Sequence, residues 1–210
     1  EFLLLEWYAP GTTLDDTAVL LEQLTAATLG SSGIDRLSCR EAFARHATVD
    51  LAVADADSLA EAAVRGRIEL PQGWEADPEP VRFDRLFELL LSEAVAPQLG
   101  HERPAMLEAW PRSQAAFARI DPGDPTVARR FELFVRGVEL VNGWEEETSA
   151  AELRQRISDA NAVRAADGRS PLPVPENLIA AHGDAMPEGV GAALGFDRLV
   201  MLAAGCGSID

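Results

Sequence analysis

The apolar positions of this chain change their spacing several times, and each change marks an element. Leu3 to Tyr8 is apolar enough for a central strand, and Pro10-Gly11 ends it. From Asp15 to Leu29 the residues Ala18, Leu21 and Leu24 recur among Glu22, Gln23 and Thr25, which predicts an amphipathic helix opened by a Thr or Asp cap and closed at Gly30 to Gly33. Leu37 to Arg40 reads as a short strand or turn leading into a helix from Glu41 to His46, with Ser38 as its cap. Further helices are expected over Ser58–Gly66, Phe83–Ala94 and Glu176–His182, with a long amphipathic one over Ala150–Ala166. Met106 to Trp110 and Pro187 to Gly195 read as strands. The stretches Leu70–Pro80 and Asp121–Pro125 read as loops, and Pro111–Gln114 as a turn.

Alternation is clearest in RFELFVRGVELVNGWEEE, Arg130 to Glu147, which reads as a β-hairpin turning at Arg136-Gly137. Phe131, Leu133 and Val135 then point one way, and Glu132 and Phe134 the other. A tight turn sets Val135 opposite Val138, Phe134 opposite Glu139 and Glu132 opposite Val141. Glu132 and Glu139 become diagonal neighbours on one face. Two carboxylates so placed repel unless a cation lies between them, and a divalent metal shared with phosphate oxygens meets that need. On pattern alone, a solvated acidic face on an edge hairpin is the simpler account.

With 210 residues, 47% of them hydrophobic, the chain can bury one substantial core, and a single domain is expected. Strands grouped at both ends with helices between them predict an α+β domain around an antiparallel sheet. No apolar run has membrane-spanning length and no charged-then-apolar leader is visible, so a soluble, cytoplasmic protein is expected. The first residue is Glu1 rather than Met, so the true start is expected upstream. Cys39 and Cys206 fit neither a disulfide framework nor a zinc site and read as reduced structural thiols. The net charge of -17 at pH 7 opposes binding to a phosphate backbone, so tRNA is a disfavoured partner; all 18 basic residues are Arg. His46, His101 and His182 have no metal-ligand spacing, Ser113 has no base partner, and Trp7 and Trp144 read as packing.

RFELF, VELVNGW and the following Glu resemble the metal and amino-acid hairpin of class II lysyl-tRNA synthetases and of their shorter paralogues, the ligases that modify elongation factor P. GVGAALGFDRLVML, Gly189 to Leu202, is similar to motif 3 of those enzymes, and EFLLLEWY to the strand that closes motif 2. The resemblance covers essentially the whole chain, with spacing nearer the paralogue. It implies that residues 1–210 are part of a class II catalytic domain, an antiparallel sheet flanked by helices, from the end of motif 2 to motif 3. Such an enzyme uses ATP and Mg²⁺ to join the carboxylate of lysine or β-lysine to the α-phosphate, and the ligases then pass the acyl group to elongation factor P.

Residue by residue, the resemblance implies that Glu132 and Glu139 hold Mg²⁺ and ATP and that the Leu140 backbone meets the adenine. Asn142 and Glu146 would hold the amino acid, with Glu6 and Tyr8 recognising its amino groups. Gly195 opens a turn against the nucleotide, and Arg198 takes the place of the catalytic, phosphate-binding Arg. Ala193 stands where the synthetases have Gly, as in a pocket reshaped for β-lysine. Strict alternation puts Asn142 and Glu146 on the face opposite Glu139, so a bulge near Gly143 is required.

Three departures stand out. Ala9 replaces the usual Arg, Glu145-Glu146-Glu147 crowds three acids together, and motif 1 and the first strand of motif 2, with its ATP-binding Arg, are absent. The 210 residues alone are therefore expected to be inactive, and the full-length form to be a homodimer. A lysyl-tRNA synthetase core and a non-catalytic synthetase-like binding module are the alternatives.

Overall fold

The computed structural model describes residues 2–166, 168–182 and 186–209; Glu1, which opens the EFLLLEWY run, and Asp210 lie outside the described residues. Among the described residues the strands β1 (Leu4–Pro10), β2 (Asp35–Ser38), β3 (Ala105–Pro111), β4 (Val127–Val135), β5 (Val138–Glu145) and β6 (Gly189–Gly195) form one six-stranded sheet in the order β1-β6-β5-β4-β3-β2. Every neighbouring pair is antiparallel except β2 and β3, which run parallel from Asp35 opposite Ala105 to Ser38 opposite Glu108. The sheet expected to be antiparallel is so in four of its five pairings, and β2 adds one parallel pairing. The cause is the long helical crossover between β2 and β3, which returns the chain to the same end of the sheet. The α+β class stands.

The helices are α1 (Leu14–Leu29), α2 (Cys39–His46), α3 (Ala56–Arg65), α4 (Glu79–Leu90), α5 (Ala150–Ala166), α6 (Glu176–Ala181) and α7 (Phe196–Ala204). Thr13 and Ser38 close capping boxes with Asp16 and Glu41, and Gly30 ends α1 in the left-handed region. α4 starts inside the stretch expected to be loop, because Pro80 in its first turn is pre-set for helix, and a π-helical turn, Leu91–Val95, carries it on. α5 keeps its expected bounds but has no apolar stripe: Leu153 is its one buried residue, which corrects the amphipathic reading.

Two apolar clusters lie on opposite faces of the sheet. On the front, α2, α3 and α4 pack Phe43, Leu59, Phe87 and Leu90 against Leu107, Trp110 and Phe134. On the reverse, α1 and α7 pack Leu21, Leu199 and Leu202 against Phe131, Leu133, Val141 and Leu194. The front helices stop short of β5, β6 and β1, which leaves that half of the front face open to a ligand. β1 itself is an edge strand rather than a central one, with Leu3, Leu4 and Leu5 at least 50% exposed.

Candidate active site

The hairpin turns at Arg136-Gly137, with φ of +53° and +76°, the geometry of a two-residue turn whose twist matches the strands. Val135 faces Val138 and Phe134 faces Glu139, as expected, but Leu133 then pairs with Val141 and Glu132 with Asn142. Leu140 is the extra residue of a β-bulge. Its cause is burial: with the bulge, Leu140 and Val141 are 2% and 1% exposed in the reverse-face core, where each apolar side chain contributes about 1.5–3 kcal/mol. Strict alternation would put one of them on the polar face. The shift also carries Asn142 to the face of Glu139, so the bulge required near Gly143 lies three residues earlier, and Glu132 opposite Val141 is corrected to Glu132 opposite Asn142.

A cross-strand row results. Glu132 pairs with Asn142, Asn142 with Ala193, and Ala193 with Glu6, all on the front face. The next row holds Arg130, Trp144, Gly191 and Tyr8. Asn142 Nδ2 donates to Glu132 Oε1 at 2.9 Å and to Glu139 Oε1 at 3.4 Å, so one amide spans both carboxylates. Asn142 Oδ1 is buried and without a partner. Burial, then the Glu139 charge, push the Glu132 carboxyl up to about 7, against the pull of Arg130.

Arg198, near the start of α7, donates to the Glu139 main-chain oxygen at 2.7 Å and to its Oε2 at 3.3 Å. Glu139, Leu140, Asn142, Ala193, Gly195 and Arg198 together line a cleft of ≈ 440 Å³, whose apolar wall is Phe2, Leu3, Leu4 and Ile209. The edge of this cleft is fixed by Asp197, whose Oδ2 accepts from Leu3 N–H at 2.7 Å.

Glu146 and Tyr8 meet over Gly191, where a Cβ would come within 2.8 Å of Glu146 Oε1 and 3.5 Å of Tyr8 Cδ2. Tyr8 O–H donates to the Pro187 carbonyl. Burial raises the Glu146 carboxyl, while the Trp144 hydrogen bond and the His182 charge pull it back; burial, Glu146 and Glu188 raise the Tyr8 hydroxyl. Trp144 is more than packing, since its Nε1–H donates to Glu146 Oε2 at 2.8 Å. The expected crowding of Glu145, Glu146 and Glu147 is also corrected: alternation sends them to different sides, where Arg129 takes Glu145 at 2.8 Å and Arg156 takes Glu147 at 3.1 Å. His101 and His182 bond main-chain oxygens, and Cys39 and Cys206 are free thiols, buried and exposed respectively.

Arg130 was not expected. It stacks 4.0 Å from the Trp110 ring centroid and donates to Glu132 Oε1 at 2.7 Å. Its only sequence signal is its place two residues before Glu132, on the same strand face. Among the described residues no three His, Cys, Asp or Glu side chains form a metal cage. The hard oxygens of Glu132 and Glu139, drawn to one amide nitrogen, nevertheless suit a divalent ion completed by phosphate oxygens.

The model of the family of class II tRNA synthetases (D, K and N) matches residues 1–210. The chain belongs to that family. This class II synthetase chain is 42% identical over 203 residues to the elongation factor P-(R)-beta-lysine ligase of Edwardsiella ictaluri (strain 93-146), which spans 97% of the chain and 61% of that protein. It is 41% identical over 203 residues to the ligase of the same name from Sodalis glossinidius (strain morsitans), with the same coverage, 97% and 61%. It is 39% identical over 209 residues to that from Salmonella dublin, covering 100% of the chain and 63% of that protein. The chain thus spans 61–63% of the length of these relatives. Among its described residues no helix is long and apolar enough to cross a membrane.

Proposed function

We propose that the protein is a cytoplasmic ATP-dependent ligase that activates lysine or (R)-β-lysine as an acyl-adenylate and transfers the acyl group to a lysine of elongation factor P. The observation that carries this reading is the front-face row, in which Asn142 spans Glu132 and Glu139 while its own Oδ1 is buried without a donor. An unpaired buried acceptor costs about 1–3 kcal/mol, which an N–H of a bound amino acid recovers. Identity of 39–42% to ligases of that name supports the substrate and the acceptor. The net charge of -17 makes tRNA the poorer acceptor. Residues 1–210 are read as part of one catalytic domain, from the end of motif 2 to motif 3, of an enzyme that acts as a homodimer.

In this reading Glu146, Tyr8 and Glu6 accept the ammonium groups of the substrate, and the Ala193 methyl sets the depth of the floor between them and Asn142. Glu132 and Glu139 hold Mg²⁺, which when bound neutralises phosphate charge. Arg198 exchanges its bonds to Glu139 for phosphate oxygens, Gly195 lets the nucleotide approach the turn, and the Leu140 backbone borders the adenine. The substrate carboxylate attacks the α-phosphorus, a new O–P bond forms and pyrophosphate leaves. The acceptor amine then attacks the carbonyl, a C–N bond forms, AMP leaves and the amine proton passes to water. Most of the rate comes from holding reactants in place and balancing charge.

ATP-pyrophosphate exchange with the complete gene product tests the reading: β-lysine or lysine should drive exchange, and none with any lysine isomer would exclude it. Ala193→Gly should move preference towards α-lysine by about tenfold, the scale on which one methyl group discriminates, as read from the ratio of kcat/KM values for the two isomers.

A further inference from the structure

Arg130 is held on three sides. Its guanidinium carbon lies 4.0 Å from the Trp110 ring centroid. Nη2 donates to Glu132 Oε1 at 2.7 Å and Nη1 to the Gln114 carbonyl at 2.9 Å, and the side chain is 14% exposed. Trp110 reaches this place through a second register shift, between β3 and β4. Glu108 pairs with Phe131 but Trp110 with Ala128, so Arg129 and Arg130 stand opposite Ala109 alone, and Ala109, at φ +51°, is where β3 bends to bring the indole onto the front face. Phe87 of α4 packs edge-on to the indole at 5.9 Å and backs the stack.

Arg130 and Asn142 place their hydrogen bonds on the same oxygen of Glu132, Oε1. Oε2 is left to neither. We propose that Arg130 is a positioning residue for the carboxylate pair: by lying on Trp110 and gripping one oxygen of Glu132, it fixes that side chain beside Glu139 with its second oxygen available to a divalent cation. A guanidinium suits this because its planar fork serves a ring face, a carbonyl and a carboxylate at once, which a point charge does not. Glu132, 6% exposed, is costly to keep in place without its partner.

The inference rests on the reading that Glu132 and Glu139 hold a cation, and its sign sets it apart from simple electrostatics. Removing a positive charge next to a cation site should tighten binding if charge alone mattered; removing a positioning group should weaken it. Mn²⁺ titrated into the complete protein with ATP present, with free Mn²⁺ followed by electron paramagnetic resonance, reads this directly. R130M, which fills the volume but donates nothing, should weaken Mn²⁺ by about tenfold or more, and R130K, which keeps the charge but not the fork, by about threefold. The amino-acid KM should stay near the parent value.

Thermal melts separate loss of fold from loss of binding. If R130M does not fold, R130K alone decides by the same criterion. Binding in the folded variants that equals the parent's, or is tighter, overturns the proposal. A parent that binds Mn²⁺-ATP but shows no exchange with any lysine isomer would sink the proposed function and leave the Arg130 test standing. A parent that binds no Mn²⁺ overturns the carboxylate pair as a cation site, and this proposal with it.

Discussion

The two faces of the central strands carry acids to different ends. On the reverse face Arg36 grips Glu108 through two bonds of 2.7 and 2.8 Å and reaches Asp15 at 2.6 Å, while Arg129 joins Glu145 at 2.8 Å and Asp121 at 3.1 Å. These residues line a cavity of ≈ 550 Å³, larger than the ≈ 440 Å³ cleft in front. On the front, Glu132 and Glu139 share one amide, and Asn142 Oδ1 and Arg130 Nε are buried without partners. Arginines answer the acids on both faces, since Arg130 holds Glu132 and Arg198 holds Glu139, but only in front do two carboxylates meet on one amide beside buried polar atoms that lack partners. Chemistry is left to the smaller space, where like charges meet and bonding capacity remains.

The sharpest way to break this comparison is to remove one acid from each face. Glu139→Gln should lower ATP-pyrophosphate exchange by about 100-fold or more, since the charge it removes is needed most as pyrophosphate leaves. Glu145→Gln should cost about 1–2 kcal/mol in urea unfolding, discounted because Arg129 is 33% exposed, and should leave the Mg²⁺ half-saturation of exchange in place. Equal losses of exchange in the two variants would erase the distinction between the faces.

Next in size is a pH effect confined to the front. The Glu132 carboxyl, raised to about 7, keeps its proton in the folded state at pH values where the unfolded chain has lost it. Its contribution to stability is therefore complete below about pH 4 and lost as pH rises through about 7, a change on the order of 3 kcal/mol. Melting of the ligand-free protein should fall between pH 5 and 8 more steeply than that of Glu132→Gln, and Mg-ATP should flatten the slope. Parallel slopes for parent and variant would show that Glu132 is not the group that titrates.

These contrasts mark what the sequence made legible. The cap at Ser38, the turn at Arg136-Gly137 and the helix at Ala150–Ala166 are legible in the sequence because each depends on neighbours within a few residues, while the Thr or Asp cap of the first helix resolves to Thr13. The bulge at Leu140 was misplaced because it answers to the reverse-face core, which has room for both Leu140 and Val141, and no local pattern shows that room. The adjacent apolar pair was the available signal. The parallel β2–β3 pair and the edge position of β1 are likewise set by chain crossovers rather than composition. The site residues were named through resemblance, whereas Arg130 and the hydrogen bond from Trp144 to Glu146 required the packed structure.

A smaller effect compares the two sides of β5 and β6 at neighbouring positions of their ladder. A Cβ at Gly191 would meet Glu146 Oε1 at 2.8 Å, the movable end of a side chain, whereas one at Gly143 would meet the Gly191 carbonyl and the Phe131 ring, both at 2.6 Å. Gly191→Ala should fold, displace Glu146 and raise the amino-acid KM by about tenfold with kcat little changed. Gly143→Ala should instead act on stability, because backbone and a packed ring do not yield. Steady-state kinetics beside melting curves separate the two, and a Gly191→Ala protein with an unaltered KM would remove Glu146 from the substrate pocket.

The smallest effect lies at the hinge between the faces, Ala109. Its φ of +51° belongs to the left-handed region, which an L-residue occupies at a cost of about 1–2 kcal/mol. Glycine relieves that cost but brings a larger loss of chain entropy, roughly 0.5–1 kcal/mol. Ala109→Gly should therefore be neutral or stabilising by less than about 1 kcal/mol, with exchange activity retained because Trp110 still stacks on Arg130. Ala109→Val has the opposite sign: a β-branched residue resists positive φ, so the bulge should shift or strain, and stability should fall by about 1–3 kcal/mol. If the bulge serves Arg130 through Trp110, the Val variant should also weaken Mn²⁺ binding, whereas the Gly variant should not. Equal melting temperatures for the Gly and Val variants would mean that residue 109 does not hold the positive φ in solution, and that Trp110 reaches Arg130 by another path.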